Sequence, residues 1–203
     1  MCGIIGYTGP LDSKKILLNG LSQLEYRGYD SAGVALCMEN SHICLVRRTG
    51  KVANLRETME RITDVSHCGL GHTRWATHGG VTTQNTHPHQ AGKVTLVHNG
   101  IIENYRVLKD ALEENGYTFR SSTDSEVLVN LIEYIRTTGG CTLLEAVQQA
   151  LRQVVGAYAI AVIEKGNRDE IIAARQSSPM AIGIGRGEYF LSSDAASIIE
   201  YTE

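Results

Sequence analysis

The sequence predicts an α+β protein built in layers, and three observations predict it. Strand-type runs dominate the first hundred residues, three amphipathic helices follow near 104–115, 124–136 and 142–154, and strand-type runs return from 157 to 192. The runs 32–38 and 42–47 are separated only by a short linker around Glu39-Asn40-Ser41, which is hairpin grammar. Strands, then helices, then strands do not make the regular alternation of a repeating βαβ chain. At 203 residues the length fits one large domain better than two small ones.

Each element has its own signal. Residues 3–8 (GIIGYT) read as a short buried strand. Pro10 and Asp12 prepare a helix carrying Ile16, Leu17, Leu21 and Leu24 at helical spacing, with Gly28 to end it. A helix is expected over 53–62, and strands at 68–73 and 94–98. Between those strands, the Gly-, Thr- and His-rich stretch 76–92 is too polar and irregular for a core element and reads as a long functional loop. Gly116 and Gly139-Gly140 stand where the first two late helices should stop. The tail gives strands at 157–164, 170–175, 180–184 and 188–192, then one short helix within 194–203.

Composition narrows the function classes. Hydrophobic residues make up 42% and charged residues 20%, with 21 Gly and 3 Pro, as in an ordinary globular chain. A formal charge of -3 lacks the basic footprint of a nucleic-acid binder. The start, MCGIIGYTGP, has neither the basic flank nor the apolar core of a secretory signal, and no apolar run approaches the roughly 18 residues of a membrane helix. A cytoplasmic location is the default expectation. The five cysteines, Cys2, Cys37, Cys44, Cys68 and Cys141, form no C-x-x-C pair, which argues against a disulfide framework or zinc ribbon. His87-Pro88-His89 has ligand-like spacing but no third ligand, and Gly183-Ile-Gly185-Arg-Gly187 lacks the last glycine of a dinucleotide fingerprint. The chemistry calls for no metal or cofactor.

Four local features could carry chemistry. Cys2 becomes N-terminal if Met1 is trimmed, and its α-amine, with an ordinary pKa of about 7.7 to 8.0, could then act as base towards its own thiol. The plain alternative is a small residue before a strand. Arg74, Trp75, Thr77 and His78, followed by Gly79-Gly80, supply a bidentate carboxylate grip, further donors, a ring that could cover a site and a hinge. A surface Arg stacked on a Trp would look the same. Asn99-Gly100 ends an apolar strand; it is chiefly a turn signal, but the Asn99 amide and Gly100 N–H could also be two donors aimed at one oxyanion. Asp124 reads either as a helix-start residue or as the partner of a ligand ammonium group.

The combination is more specific than its parts. CGIIGY, Leu24-Glu-Tyr-Arg27-Gly28-Tyr-Asp30-Ser31-Ala32-Gly33, GHTRWATHG, HNGIIEN and STDSE, in this order, closely resemble the class II glutamine amidotransferases from Cys2 to about Asp194. Within that family, EYRGYDSAG and HTRWATHG are most similar to the glutaminase domain of glutamine:fructose-6-phosphate aminotransferases. The amidophosphoribosyltransferases, which usually differ at Trp75 and His78, are the runner-up. The resemblance implies an N-terminal nucleophile hydrolase fold, a four-layer αββα sandwich of two antiparallel sheets between helices. It makes Cys2 the nucleophile and its amine the base, Asn99 and Gly100 the oxyanion hole, and Arg74 with Thr77 and His78 the carboxylate grip. Asp124 with the Gly100 carbonyl would hold the amine of L-glutamine, Trp75 would belong to a closing loop, and Arg27 would be architectural. It further implies that fructose 6-phosphate is met only through a second, sugar-phosphate isomerase domain absent from residues 2–203, and that the full-length enzyme is a homo-oligomer.

Overall fold

The computed structural model describes residues 2–76 and 79–202. Its elements run β1 (Gly3–Thr8), α1 (Ser13–Leu24), β2 (Ser31–Met38), β3 (Ile43–Thr49), α2 (Val52–Met59), β4 (Ser66–Arg74), β5 (His89–Ala91), β6 (Val94–Ile102), α3 (Tyr105–Glu114), α4 (Asp124–Gly139), α5 (Leu143–Leu151), β7 (Gly156–Glu164), β8 (Ile172–Gln176), β9 (Ala181–Gly185) and β10 (Glu188–Ser192). The strands form two sheets, ordered β3-β2-β4-β1-β10-β9 and β5-β6-β7-β8, with every neighbouring pair antiparallel.

Period-two alternation decides what each face of these sheets buries. Ile4, Ala35, Cys37, Cys68, Leu70 and Leu191 of the larger sheet meet Val97, Ala159, Ala161 and Ile163 of the smaller one in a shared core. The opposite face of the larger sheet carries Ile5, Tyr7, Val34 and Leu36 against Leu17, Leu21 and Leu24 of α1 and Leu55 of α2. The outer face of the smaller sheet carries Val94, Leu96, Ile160 and Val162 against α3, α4 and α5. Three cores between four layers are the αββα sandwich that the resemblance implied. Helix boundaries follow local chemistry: Asp12 caps α1 by accepting from Lys14 N–H, Thr123 caps α4 by accepting from Glu126 N–H, and Thr142 with Glu145 closes a capping box on α5.

Three expectations are corrected. The stretch 76–92 is not all loop: Asn85, Thr86, His87 and His89 are buried, and β5 pairs with β6, His89 opposite Leu96. Apart from His87 Nδ1, their side-chain polar atoms find partners in Ser122, Thr123, Ser125 and nearby backbone carbonyls, something a hydropathy pattern cannot register. Asn99-Gly100 makes no turn. Strand β6 runs through it to Ile102 with unbroken register to β7, and Gly100 takes a φ of 122° while a Cβ there would sit 2.0 Å from Ala157 O. Residues 195–201 form two short 3-10 turns rather than one helix. Among the described residues, no helix is long and apolar enough to cross a membrane.

Leu96 is fully buried between the smaller sheet and α4, so Leu96→Ala should cost about 2–5 kcal/mol of unfolding free energy. Urea denaturation of the two proteins measures this, and a loss below 1 kcal/mol would mean that this core readjusts to fill the gap.

Candidate active site

The site begins where the inter-sheet core ends. Along β4 the residues facing the smaller sheet are Cys68 and Leu70, and the next two on that face are His72 and Arg74. On β6 the same face carries Val97 and then Asn99, and on β1 it carries Ile4 with Cys2 just before the strand. Gly3 pairs with Thr73 and donates its N–H to Thr73 Oγ1 at 3.1 Å, which sets Cys2 beside Arg74 and Trp75. Apolar rows thus become chemical rows within one sheet edge.

A cavity of about 170 Å³ opens there, lined by Cys2, Arg74, Trp75, Asn99, Gly100 and Asp124 among others. The half-buried Cys2 Sγ accepts from Trp75 N–H at 3.2 Å. Burial raises the thiol pKa above its ordinary value, while the Trp75 N–H and the positive charge of Arg74 oppose the rise. Asn99 Nδ2 donates to Cys2 O at 3.1 Å, leaving its second hydrogen for another acceptor. Strand β5 pairs only with Val94–Leu96, so among the described residues no strand lies beside the edge of β6 beyond it, and Asn99 and Gly100 line the cavity there.

Arg74 is buried and its guanidinium donates to Gly80 O at 3.1 Å, with Asp30 Oδ1 at 4.0 Å. Asp30 also accepts from Ala76 N–H and from Ser31 Oγ, and its own N–H donates to Arg74 O at 2.8 Å. Asp30 therefore holds the guanidinium and Ala76 with its carboxylate and the Arg74 carbonyl with its backbone N–H, fixing the chain on either side of Trp75. Asp124 opens α4 and accepts from Ile102 N–H at 2.8 Å, tying the helix N-terminus to β6. Both readings of Asp124 are compatible with this position: it starts a helix and it lines the cavity. Thr77 and His78 lie outside the described residues. A larger, more open cavity of about 620 Å³ by Arg27, Arg175 and Asp194 contains no cysteine. Arg27 there donates to Ser193 O at 3.1 Å and lies 3.7 Å from Asp194, in keeping with an architectural role.

Some contributors were not singled out from sequence. Gly28, at φ 106°, is where a Cβ would strike the Trp75 ring at 2.6 Å, so this glycine seats the tryptophan. Asn85 donates to Gly80 O at 2.9 Å and accepts from Ser122 N–H at 3.0 Å, joining the Arg74 side of the cavity to the Asp124 side. His72 was legible in principle, since it stands two residues before Arg74 and shares its face.

Four buried histidines pack around the cavity, His87 and His98 among its lining residues and His72 and His89 behind them. His72 stacks on His87 at 4.0 Å, and His87 meets His89 edge-on at 4.6 Å. His87 Nε2 and His98 Nδ1 each lie 2.8 Å from Ser125 Oγ, whose single proton serves one ring while its oxygen accepts from the other. His89 Nε2 is 3.1 Å from Thr123 Oγ1. Burial holds all four neutral, His72 and His89 at pKa values of about 3. Among the described residues no group of three or more His, Cys, Asp or Glu is arranged to hold a metal ion.

The chain matches the family described as the glutamine amidotransferase domain over residues 72–200. It is 53% identical to the glutamine–fructose-6-phosphate aminotransferase [isomerizing] of Bacteroides thetaiotaomicron, covering 100% of this chain and 33% of that protein. The protein of the same name from Thermosynechococcus vestitus is 52% identical, again over 100% of this chain and 33% of its own length. The chain thus spans about a third of the curated relatives it matches. Among solved structures, the glutamine phosphoribosylpyrophosphate amidotransferase of B. subtilis superposes with a TM-score of 0.83 at 27% identity, covering 98% of this chain and 43% of that one.

The neutral histidines set a pH dependence. Each ring ionises near pH 6.5 when unfolded and only at about pH 3 (His72, His89) or otherwise below 6.5 when folded, so the unfolded chain binds more protons between those values. Stability is then complete above about pH 6.5 and should fall by up to about 1.4 kcal/mol per pH unit per ring below it. Urea midpoints between pH 7 and 5, above the carboxylate range, should drop steeply; a flat profile would contradict the neutral assignment.

Proposed function

From the premise that this chain belongs to the glutamine amidotransferase family, we propose that it hydrolyses the side-chain amide of L-glutamine to glutamate and ammonia, with Cys2 as nucleophile once Met1 has been removed. The observation that carries the reading is the convergence of the Cys2 thiol, the Asn99 amide, the Arg74 guanidinium and the Asp124 carboxylate on one cavity sized for a small molecule. The ligand grips are of opposite charge, as an amino acid requires: Arg74, with Thr77 and His78, takes the α-carboxylate, and Asp124, with the Gly100 carbonyl, takes the α-ammonium.

The freed α-amine of Cys2 accepts the thiol proton, and sulfur attacks the side-chain carbonyl carbon. A C–S bond forms, and the carbonyl electron pair moves onto oxygen, where Asn99 Nδ2 and Gly100 N–H donate to it. The pair returns as the C–N bond breaks, and the amine passes its proton to the departing ammonia. Water then adds to the thioester, giving glutamate and the thiol. Trp75 belongs to the segment that closes over the substrate and keeps the ammonia from bulk water. Burial of the thiol raises its pKa, so an adjacent base is what the reaction needs at neutral pH.

We further propose that in the full-length enzyme the ammonia converts fructose 6-phosphate to glucosamine 6-phosphate in a second, sugar-phosphate isomerase domain, and that this enzyme is a cytoplasmic homo-oligomer. Identities of 53% and 52% to aminotransferases of that name, against 27% to the phosphoribosylpyrophosphate amidotransferase, favour this reading over the amidophosphoribosyltransferase one.

Glutamate release from Met1-free protein tests the first proposal. Cys2→Ala should reduce it to background, and protein shown by intact mass to retain Met1 should be inactive because its Cys2 nitrogen is an amide. Full activity with Met1 attached would sink the mechanism. Asp124→Asn should raise the KM for glutamine at least about tenfold, since removing one partner of a largely desolvated charge pair costs roughly 2–5 kcal/mol; an unchanged KM would remove Asp124 from the ammonium grip.

A further inference from the structure

We propose that His72 is a positioning residue for the oxyanion hole, its ring protonated on Nε2 and holding the Asn99 carboxamide with its NH2 turned towards the cavity. This rests on the glutaminase reading and deepens it. An Asn side chain has two orientations related by a half-turn, and only one presents a donor to an oxyanion; the other presents Oδ1, which repels it. Something must choose between them.

Geometry assigns that choice to His72. Its Nε2 lies 2.9 Å from Asn99 Oδ1 and 3.1 Å from the His98 carbonyl oxygen. Both neighbours accept only, so Nε2 carries the hydrogen and donates to them. On the far side of the amide, Asn99 Nδ2 donates to Cys2 O at 3.1 Å. Turning the amide over would set NH2 against Nε2–H and Oδ1 against the Cys2 carbonyl oxygen, replacing two attractions by two repulsions. A single proton suffices for the ring, which is fully buried, and Nδ1 finds no acceptor among the described residues. The stack on His87 and the position on β4, two residues from Arg74, fix the plane of the ring. His72 does not line the cavity, so it acts through its neighbours, and of these Asn99 is the one whose side-chain donor its hydrogen bond orients.

The test uses Met1-free protein and the near-isosteric pair His72→Gln, which restores an N–H close to the Nε2 position, and His72→Met, which does not. His72→Met should lower kcat about 10- to 100-fold with KM within about threefold, a part of the 10²–10³ that loss of a whole oxyanion donor costs. His72→Gln should turn over at least about five times faster than His72→Met. In an Asn99→Ala background His72→Met should cost nothing more, because the group it orients is gone. Alkylation of Cys2 by iodoacetamide, which builds no oxyanion, should proceed at the wild-type rate in both variants. Nitrogen-15 NMR of the wild-type imidazole should show the Nε2–H tautomer, a readout that needs no variant to fold. An Nδ1–H tautomer, multiplicative losses in the double variant, or equal rates for Gln and Met would overturn the proposal. Absence of Cys2-dependent glutamate release from the wild-type protein would instead overturn the glutaminase reading, whatever the tautomer.

Discussion

Face-to-face packing of β1 and β4 against β6 sets the thiol, the guanidinium and the amide of the site, because the rows of side chains that make the inter-sheet core continue past its end as Cys2, His72, Arg74 and Asn99. Ile4, Leu70 and Val97 are each fully buried in that core, and a buried side chain of this size contributes about 1.5–3 kcal/mol. Sliding β4 by one residue against β1 would turn Arg74 and His72 to the opposite face and lose the Leu70 contact with them. The energetics of the core and the geometry of the chemistry are therefore one constraint. A thiol at a chain start, which would otherwise fray, is held by strand pairing on one side and by Trp75 N–H on the other.

Around this junction the polar groups form a closed set. Asp30 holds Arg74 and the chain beside Trp75, Asn85 bridges Gly80 to Ser122, and Asp124 binds Ile102 N–H. Ser125 joins His87 and His98, so the helix that opens with Asp124 is tied by its next residue to the strand that carries Asn99. The four histidines bond to hydroxyls and carbonyls, and His87 stacks on His72 and meets His89 edge-on. Their neutrality follows from burial, which penalises an imidazolium more than these hydrogen bonds reward it. A preorganised polar shell of this kind orients donors before a substrate arrives.

The order and type of the elements could be read from the chain because period-two and period-3.6 patterns are local: the strand at Gly3–Thr8, the helix ending near Gly28, and the hairpin around Glu39-Asn40-Ser41 follow from neighbours alone. Cys2, Arg74, Trp75, Asn99, Gly100 and Asp124 could likewise be picked out, by residue type and then by likeness to a family. The buried stretch Asn85–His89 and the strand course of Asn99-Gly100 could not. Polar residues enter a core only when partners from distant segments satisfy them, as Ser122, Thr123 and Ser125 do here, and Asn-Gly forgoes its turn because β7 pairs with it across the whole strand.

What the amino-acid order determined alone is thus the inventory: which segments become strands or helices, and which side chains have the chemistry of nucleophile, donor and charge grip. Tertiary structure decided their relations. Only the register of β1 on β4 sets the thiol beside the guanidinium, only the stacking of two sheets brings the Asn99 amide to Cys2, and only burial makes His72 a neutral donor. The physical reason is range: backbone preference acts over a few residues, whereas desolvation and hydrogen-bond partnership depend on groups separated by 70 and 97 positions in the chain.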